Sequence, residues 1–84
     1  MTEHRLKTWP KHFNDILCGL KTFEVRRDDR GFQVGDTLIL EEYDRTRKYS
    51  GRYLTRKVTH LLRGGEFGIE EGHVVMSITH PSAT

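Results

Sequence analysis

The hydrophobic period of the chain changes from 3.6 to 2 at Gly19, and that change decides most of what it can fold into. Before it, "WPKHFNDILCG" places Trp9, Phe13, Ile16 and Leu17 at i, i+4, i+7 and i+8, a single apolar stripe of helical period. Pro10 suits the first helical position and Gly19 the left-handed position just past the end, so one short helix is expected, with Trp9 in the core. After Gly19 the period is 2. "KTFEVR" sets Phe23 and Val25 on one face of a strand and Thr22, Glu24 and Arg26 on the other.

The remaining segments continue in strand rhythm. "HRLKTW" reads as a short first strand. "TLILEEYD" is the most hydrophobic, with Leu38 and Leu40 facing one way and Ile39 and Tyr43 the other. "RYLTRKVTHLL" is a long strand and "HVVMSIT" the last. Between them lie "RDDRGFQVGD", closing on a Gly-Asp turn signal, the polar connection "RTRKYSG" and the Gly-rich "RGGEFGIEEG". One leading helix with four or five strands on short loops argues an α+β domain, built as a small, curved sheet or β-barrel. The 84 residues suffice for one domain, expected over residues 1–80 with a frayed tail at 81–84.

Charge narrows the function classes only slightly. Fourteen Lys+Arg against 12 Asp+Glu give a net +2, too mild by itself to imply nucleic acid. The basic residues are clustered, however: Arg26, Arg27 and Arg30 in one segment, Arg45, Arg47, Lys48, Arg52, Arg56 and Lys57 in another. Each cluster is either an electrostatic footprint or a solvated loop. Cys18 stands alone, no apolar run approaches the ~18 residues of a membrane span, and "MTEHRLKTW" lacks a signal-peptide core. A cytoplasmic protein without membrane contact is the expectation. The five histidines show no ligand spacing, so neither a metal nor a cofactor is expected. His4 and Lys7 stand near the start of the helix, where they either line a cleft or serve as surface residues; His60 reads as a strand residue. Tyr43, Tyr49 and Tyr53 interleave with Arg45, Arg47, Lys48 and Arg52, either as a base-stacking surface or as a hairpin whose tyrosines cover the core edge.

The stretch "GLKTFEVR" carries more charge than its strand needs. Alternate residues of a strand stand about 6.6–6.8 Å apart on one face, so Thr22, Glu24 and Arg26 form a polar row. That row is either an exposed ion pair, worth about 0.2–1 kcal/mol, or a carboxylate and a guanidinium presented to a ligand. Lys21, at the helix-to-strand junction, is expected to reach over the mouth of a cleft and lie beside Glu24.

"GLKTFEVR" resembles the Gly-x-Lys-x-x-Glu-x-Arg signature of the ASCH superfamily, a branch of the PUA-like β-barrels. The leading helix, the loop ending "FQVGD", the hydrophobic strand and "RGGEFG" before "VVMSI" extend the likeness over nearly the whole chain, toward short phage and bacterial ASCH-like domains of unknown function. The resemblance implies a PUA-like barrel with a cleft beside the helix and RNA or a nucleotide as ligand. It implies Gly19, Lys21, Glu24 and Arg26 as the motif positions. Lys21 would meet a phosphate or a polar base edge, Glu24 would accept from an exocyclic amine, and Arg26 would hold Glu24 or bind phosphate. Lys7, Arg27 and Arg30 would be rim contacts.

The resemblance also admits a hydrolase. Some small ASCH-fold proteins are amidohydrolases on N4-acylated cytidines, using a Lys, a Thr and a Glu, and others are ribonucleases. Lys21 and Glu24 would then be catalytic, although Glu24 stands where those amidohydrolases carry threonine. Thr22 does not fill that place, and a second carboxylate would come from Glu41 or Glu42. A lysine acts as nucleophile or base only where burial or a nearby cation lowers its pKa, and a neighbouring Glu24 opposes that. A third reading is a phage-type accessory module that binds another protein through an edge strand, with oligomeric state open.

Overall fold

The computed structural model describes residues 1–82; residues 83 and 84, the end of the expected frayed tail, lie outside the described residues. The element order is β1 (Glu3–Thr8), α1 (Pro10–Leu17), β2 (Phe23–Arg27), β3 (Thr37–Asp44), β4 (Lys48–Arg63) and β5 (His73–Thr79). The strands form one sheet in the order β1-β3-β4-β5-β2, with β1 parallel to β3 and the other pairs antiparallel. The sheet curls into a half-barrel around a core of Leu6, Ile16, Phe32, Leu38, Leu40, Val58, Val74, Met76 and Ile78. The expected α+β class and curved sheet are therefore present.

Arginine side chains from β2 and from the loop after it reach β1, the strand at the other end of the sheet. Arg26 of β2 donates from Nη2 to the Lys7 carbonyl at 3.0 Å and to Thr8 Oγ1 at 3.3 Å, both on β1. Arg30 donates from Nη1 to the Arg5 carbonyl at 2.8 Å. Arg5 and Lys7, two residues apart on β1, thus have carbonyls capped by guanidinium groups. An open strand edge invites pairing with another chain, and these contacts cover part of it.

Three local expectations are corrected. Trp9 is not core: it is 47% exposed, and helix burial falls on Phe13 and Ile16, with Leu17 half-exposed. Trp9 sits at the N-cap, before the regular turn, so its direction is not the one a helical wheel assigns. The segment "RTRKYSG" is not wholly a connection, because β4 begins at Lys48. Asp44 Oδ1 accepts from the Thr46 and Arg47 amides, folding a tight turn that pairs Asp44 with Lys48 and Tyr43 with Tyr49. The third correction is the face of β2. Glu24 is buried, while Phe23 and Val25 are about half exposed, the reverse of what apolar alternation suggests.

The loop from β2 to β3 is anchored by its ends. Phe32 is fully buried, its ring 4.7 Å from the His4 ring. Asp28 accepts from the Phe32 amide and pairs with Arg63, whose Nη2 donates to the Phe32 carbonyl. Asp36 accepts from His4 Nε2 at 2.8 Å and from the Gln33 and Thr2 amides. Burial pushes the Asp36 carboxyl up, but those three donors outweigh it and hold the group below the usual range. His4 is therefore a buried structural partner, away from the cleft.

Candidate functional site

The chain from Asp15 to Lys21 folds back so that a lysine meets the helix. Cys18 caps α1, and Gly19, at φ +81°, turns the chain sharply; the Leu20 and Lys21 amides then both donate back to the Asp15 carbonyl. A Cβ on Gly19 would meet open space, so glycine is there for its backbone conformation. Gly19 lies outside the main cleft and supplies the turn that delivers Lys21.

That cleft has a volume of about 590 Å³. One wall is the end of β1 and the start of α1, with Lys7, Thr8, Trp9, His12 and Asp15; the other is Lys21 and the residues of β2 through Arg26. Here Glu24 is 3% exposed. Its Oε2 accepts from Arg26 Nε at 3.0 Å, while its Oε1 is buried and has no partner among the described residues. A buried acceptor without a donor costs about 1–3 kcal/mol, more when charged.

Lys21 lines the same cleft, but it does not lie against Glu24. Its ammonium donates to Nδ1 of His12 at 3.0 Å and stands 5.2 Å from the Phe23 ring centre. An ammonium has only donors, so Nδ1 of His12 must be the acceptor.

The other expected residues divide. Lys7 lines the cleft. Arg26 lines it too, but as the brace between Glu24 and β1, which removes it as a free phosphate ligand. Arg30 caps the β1 edge, and exposed Arg27 lies outside the cleft. Glu41 and Glu42 are also outside it. Glu41 pairs with Arg5, and Glu42 accepts from Ser50 and from both Nε and Nη2 of Arg52. The bonds from Arg52, then Ser50, hold the Glu42 carboxyl down to about 2. It is a fixed structural anion.

Sequence reasoning missed His12 and Asp15, the second carboxylate of the cleft. The signal was available: Trp9, His12 and Asp15 repeat every third residue, the helix flank beside the Phe13 and Ile16 stripe. Trp9 also joins an aromatic group, with its ring 6.2 Å from Tyr43, which in turn stands 5.0 Å from Tyr49 in an edge-on arrangement. No cluster of three or more His, Cys, Asp or Glu side chains able to hold a metal ion occurs among the described residues, and no helix among them is long and apolar enough to cross a membrane.

Among known proteins the chain is similar to the "Uncharacterized 12.9 kDa protein in GpA 3'region" of Escherichia phage P2, with 38% identity over 58 residues. That match takes in 69% of this chain and 52% of the phage protein, so the chain spans about half the length of its relative. Residues 3–78, which run from the start of β1 nearly to the end of β5, match the domain of unknown function DUF3850, and the chain belongs to that family.

Proposed function

We propose that this domain is an ASCH-like, PUA-like module whose cleft binds a nucleobase bearing an exocyclic amine, presented by RNA or a nucleotide. The observation that carries the reading is Glu24: a carboxylate almost wholly buried in the cleft wall, braced by Arg26 through one oxygen and unpaired at the other. An amino group such as cytosine N4 matches that acceptor. Lys7 and Lys21, on opposite walls, supply positive charge for a phosphate. The motif in "GLKTFEVR" supports the same assignment, with Gly19 shaping the turn, Lys21 and Glu24 facing the ligand, and Arg26 positioning Glu24.

The test is a comparison of cytidine and uridine monophosphates by heteronuclear NMR at low salt. The reading expects cytidine monophosphate to bind more tightly, with shifts around residues 21–26, and the preference to vanish in Glu24→Gln. Equal binding of the two, or shifts remote from the cleft, would overturn it.

A hydrolase remains the second reading, because Lys21 donates to His12 rather than pairing with Glu24, and because Asp15 adds a second carboxylate to the cleft. N4-acetylcytidine incubated with the protein would yield cytidine and acetate, with activity absent in Lys21→Ala. No product at high enzyme concentration removes this reading and leaves the binding module.

A further inference from the structure

Beyond the cleft, the aromatic residues of the β3–β4 hairpin form a surface that a single bound nucleotide would not use. Trp9 belongs both to the cleft wall and to the chain of rings Trp9–Tyr43–Tyr49. Trp9 and Tyr49 are each about half exposed. Two cations sit against these rings: Lys7 Nζ lies 4.6 Å from the Tyr43 ring centre and Arg45 Cζ 5.5 Å from that of Trp9. Neither Lys7 nor Arg45 is ion-paired to a carboxylate among the described residues. Arg26, Arg52 and Arg63, by contrast, are tied to Glu24, Glu42 and Asp28. Lys7 and Arg45, two of the cations without a carboxylate partner among the described residues, therefore lie against these rings.

We propose that Trp9, Tyr43 and Tyr49 form a stacking ledge for the base next to the one held at Glu24, so that the ligand is a short single strand of nucleic acid rather than a lone nucleotide. Every base presents a π-face that an aromatic ring accepts, and each linking phosphate matches a free cation. Lys7 stands where the two halves of the site join, since it lines the cleft and lies over Tyr43. Arg45 extends the positive charge along the hairpin. This inference rests on the nucleobase reading of the cleft.

The experiment uses the full chain with cytidine monophosphate and with fluorescein-labelled oligocytidine tetramers, one of RNA and one of DNA. Calorimetry reads the mononucleotide and anisotropy reads the tetramers. Trp9, the one tryptophan of the chain, reports stacking through quenching of its fluorescence. The ledge predicts that the tetramer binds about 5- to 150-fold more tightly than the mononucleotide, that Tyr49→Ala abolishes most of that gain, and that it leaves mononucleotide affinity unchanged. Arg45→Ala is expected to flatten the salt dependence of tetramer binding by about one phosphate contact. Both side chains are exposed on the hairpin, and circular dichroism verifies that the variants fold. A tighter RNA tetramer would mean that the ledge region senses the ribose hydroxyl, and equal affinities that it reads strands of either sugar; both support the ledge. Mononucleotide binding with no gain in the tetramer and no effect of Tyr49→Ala would overturn the ledge and leave the cleft reading intact. Failure of every nucleic-acid probe to bind would overturn both.

Discussion

Removing the Arg26 side chain tests whether its pair with Glu24 is a surface ornament or a structural brace. Read as an exposed strand pair, the interaction is worth about 0.2–1 kcal/mol. The structure argues for more, because the Glu24 side chain is only 4% exposed and Arg26 Nε is its one hydrogen-bond donor among the described residues. Arg26→Ala leaves a buried carboxylate without a partner on either oxygen, a loss of about 3–5 kcal/mol where no water enters. It also frees the Lys7 carbonyl and Thr8 Oγ1, two bonds of about 0.5–1.5 kcal/mol each. Arg26 is 24% exposed, so water will fill part of the vacated space, and about 3 kcal/mol is the expected net cost. For a domain of this size that lowers the melting temperature by roughly 12–24 °C. The assay is thermal melting by circular dichroism of Arg26→Ala, Glu24→Gln and the double variant. Removing the charge should restore about 1–2 kcal/mol of the loss, so the double variant should melt above Arg26→Ala. A single variant melting within 3 °C of the parent (roughly the effect of a surface pair), or a double variant melting no higher than Arg26→Ala, would refute the reasoning.

Three further outcomes follow from the same geometry. Glu42 titrates at about 2 in the folded protein against an ordinary 4.5, so its stabilisation is complete above pH 4.5 and is lost as pH falls toward 2. With the half-exposed Arg52 partly screened, this amounts to about 1–2 kcal/mol; urea unfolding between pH 5 and 2.5 should show a shallower pH dependence in Glu42→Gln. Gly64→Ala should cost about 2–4 kcal/mol, because an added Cβ would come 1.9 Å from the Glu70 carbonyl oxygen, whereas Gly19→Ala, with open space around it, should cost only about 1–2 kcal/mol of backbone strain; denaturant midpoints compare them. Arg30→Ala, which uncovers the Arg5 carbonyl on the β1 edge, should raise concentration-dependent self-association in sedimentation velocity with little loss of melting temperature.

What could be read from the chain, and what could not, separates along a physical line. The helix was legible because Pro10 and Gly19 mark its ends by backbone chemistry that needs no partner. The strands were legible because Leu38 and Leu40, and Val74, Met76 and Ile78, alternate toward a core that buries them. Trp9 and the face of β2 were misread for a common reason: both depend on tertiary partners. Apolar alternation assigns Phe23 and Val25 to the interior. Glu24 on the opposite face is buried instead, because Arg26 pairs with one of its oxygens while crossing to β1, a contact spanning 18–19 residues of sequence. No local pattern encodes that contact. The candidate site divides in the same way, since Lys21 and Glu24 stood out as charge within a strand rhythm, while His12 and Asp15 were overshadowed by the apolar stripe next to them.

On the proposed nucleobase reading, the inversion of β2 lets one short motif serve both fold and site. A carboxylate displayed on a solvated face would be saturated by water and would discriminate weakly among ligands. Burying Glu24 removes that water and leaves one oxygen without a hydrogen bond among the described residues, an acceptor that the proposed base amine would take up. Burial of the charge is tolerable only because Arg26 neutralises it, and Arg26 is fixed in turn by the β1 carbonyl at Lys7. Lys7 and Thr8, on that same stretch of β1, line the cleft. Closure of the half-barrel and preparation of the acceptor are therefore one arrangement. A change that loosens β1 from β2 should weaken ligand binding at Glu24 even when no cleft residue is altered, as binding measurements on Arg30→Ala would show; unchanged affinity in that variant would separate closure from the site.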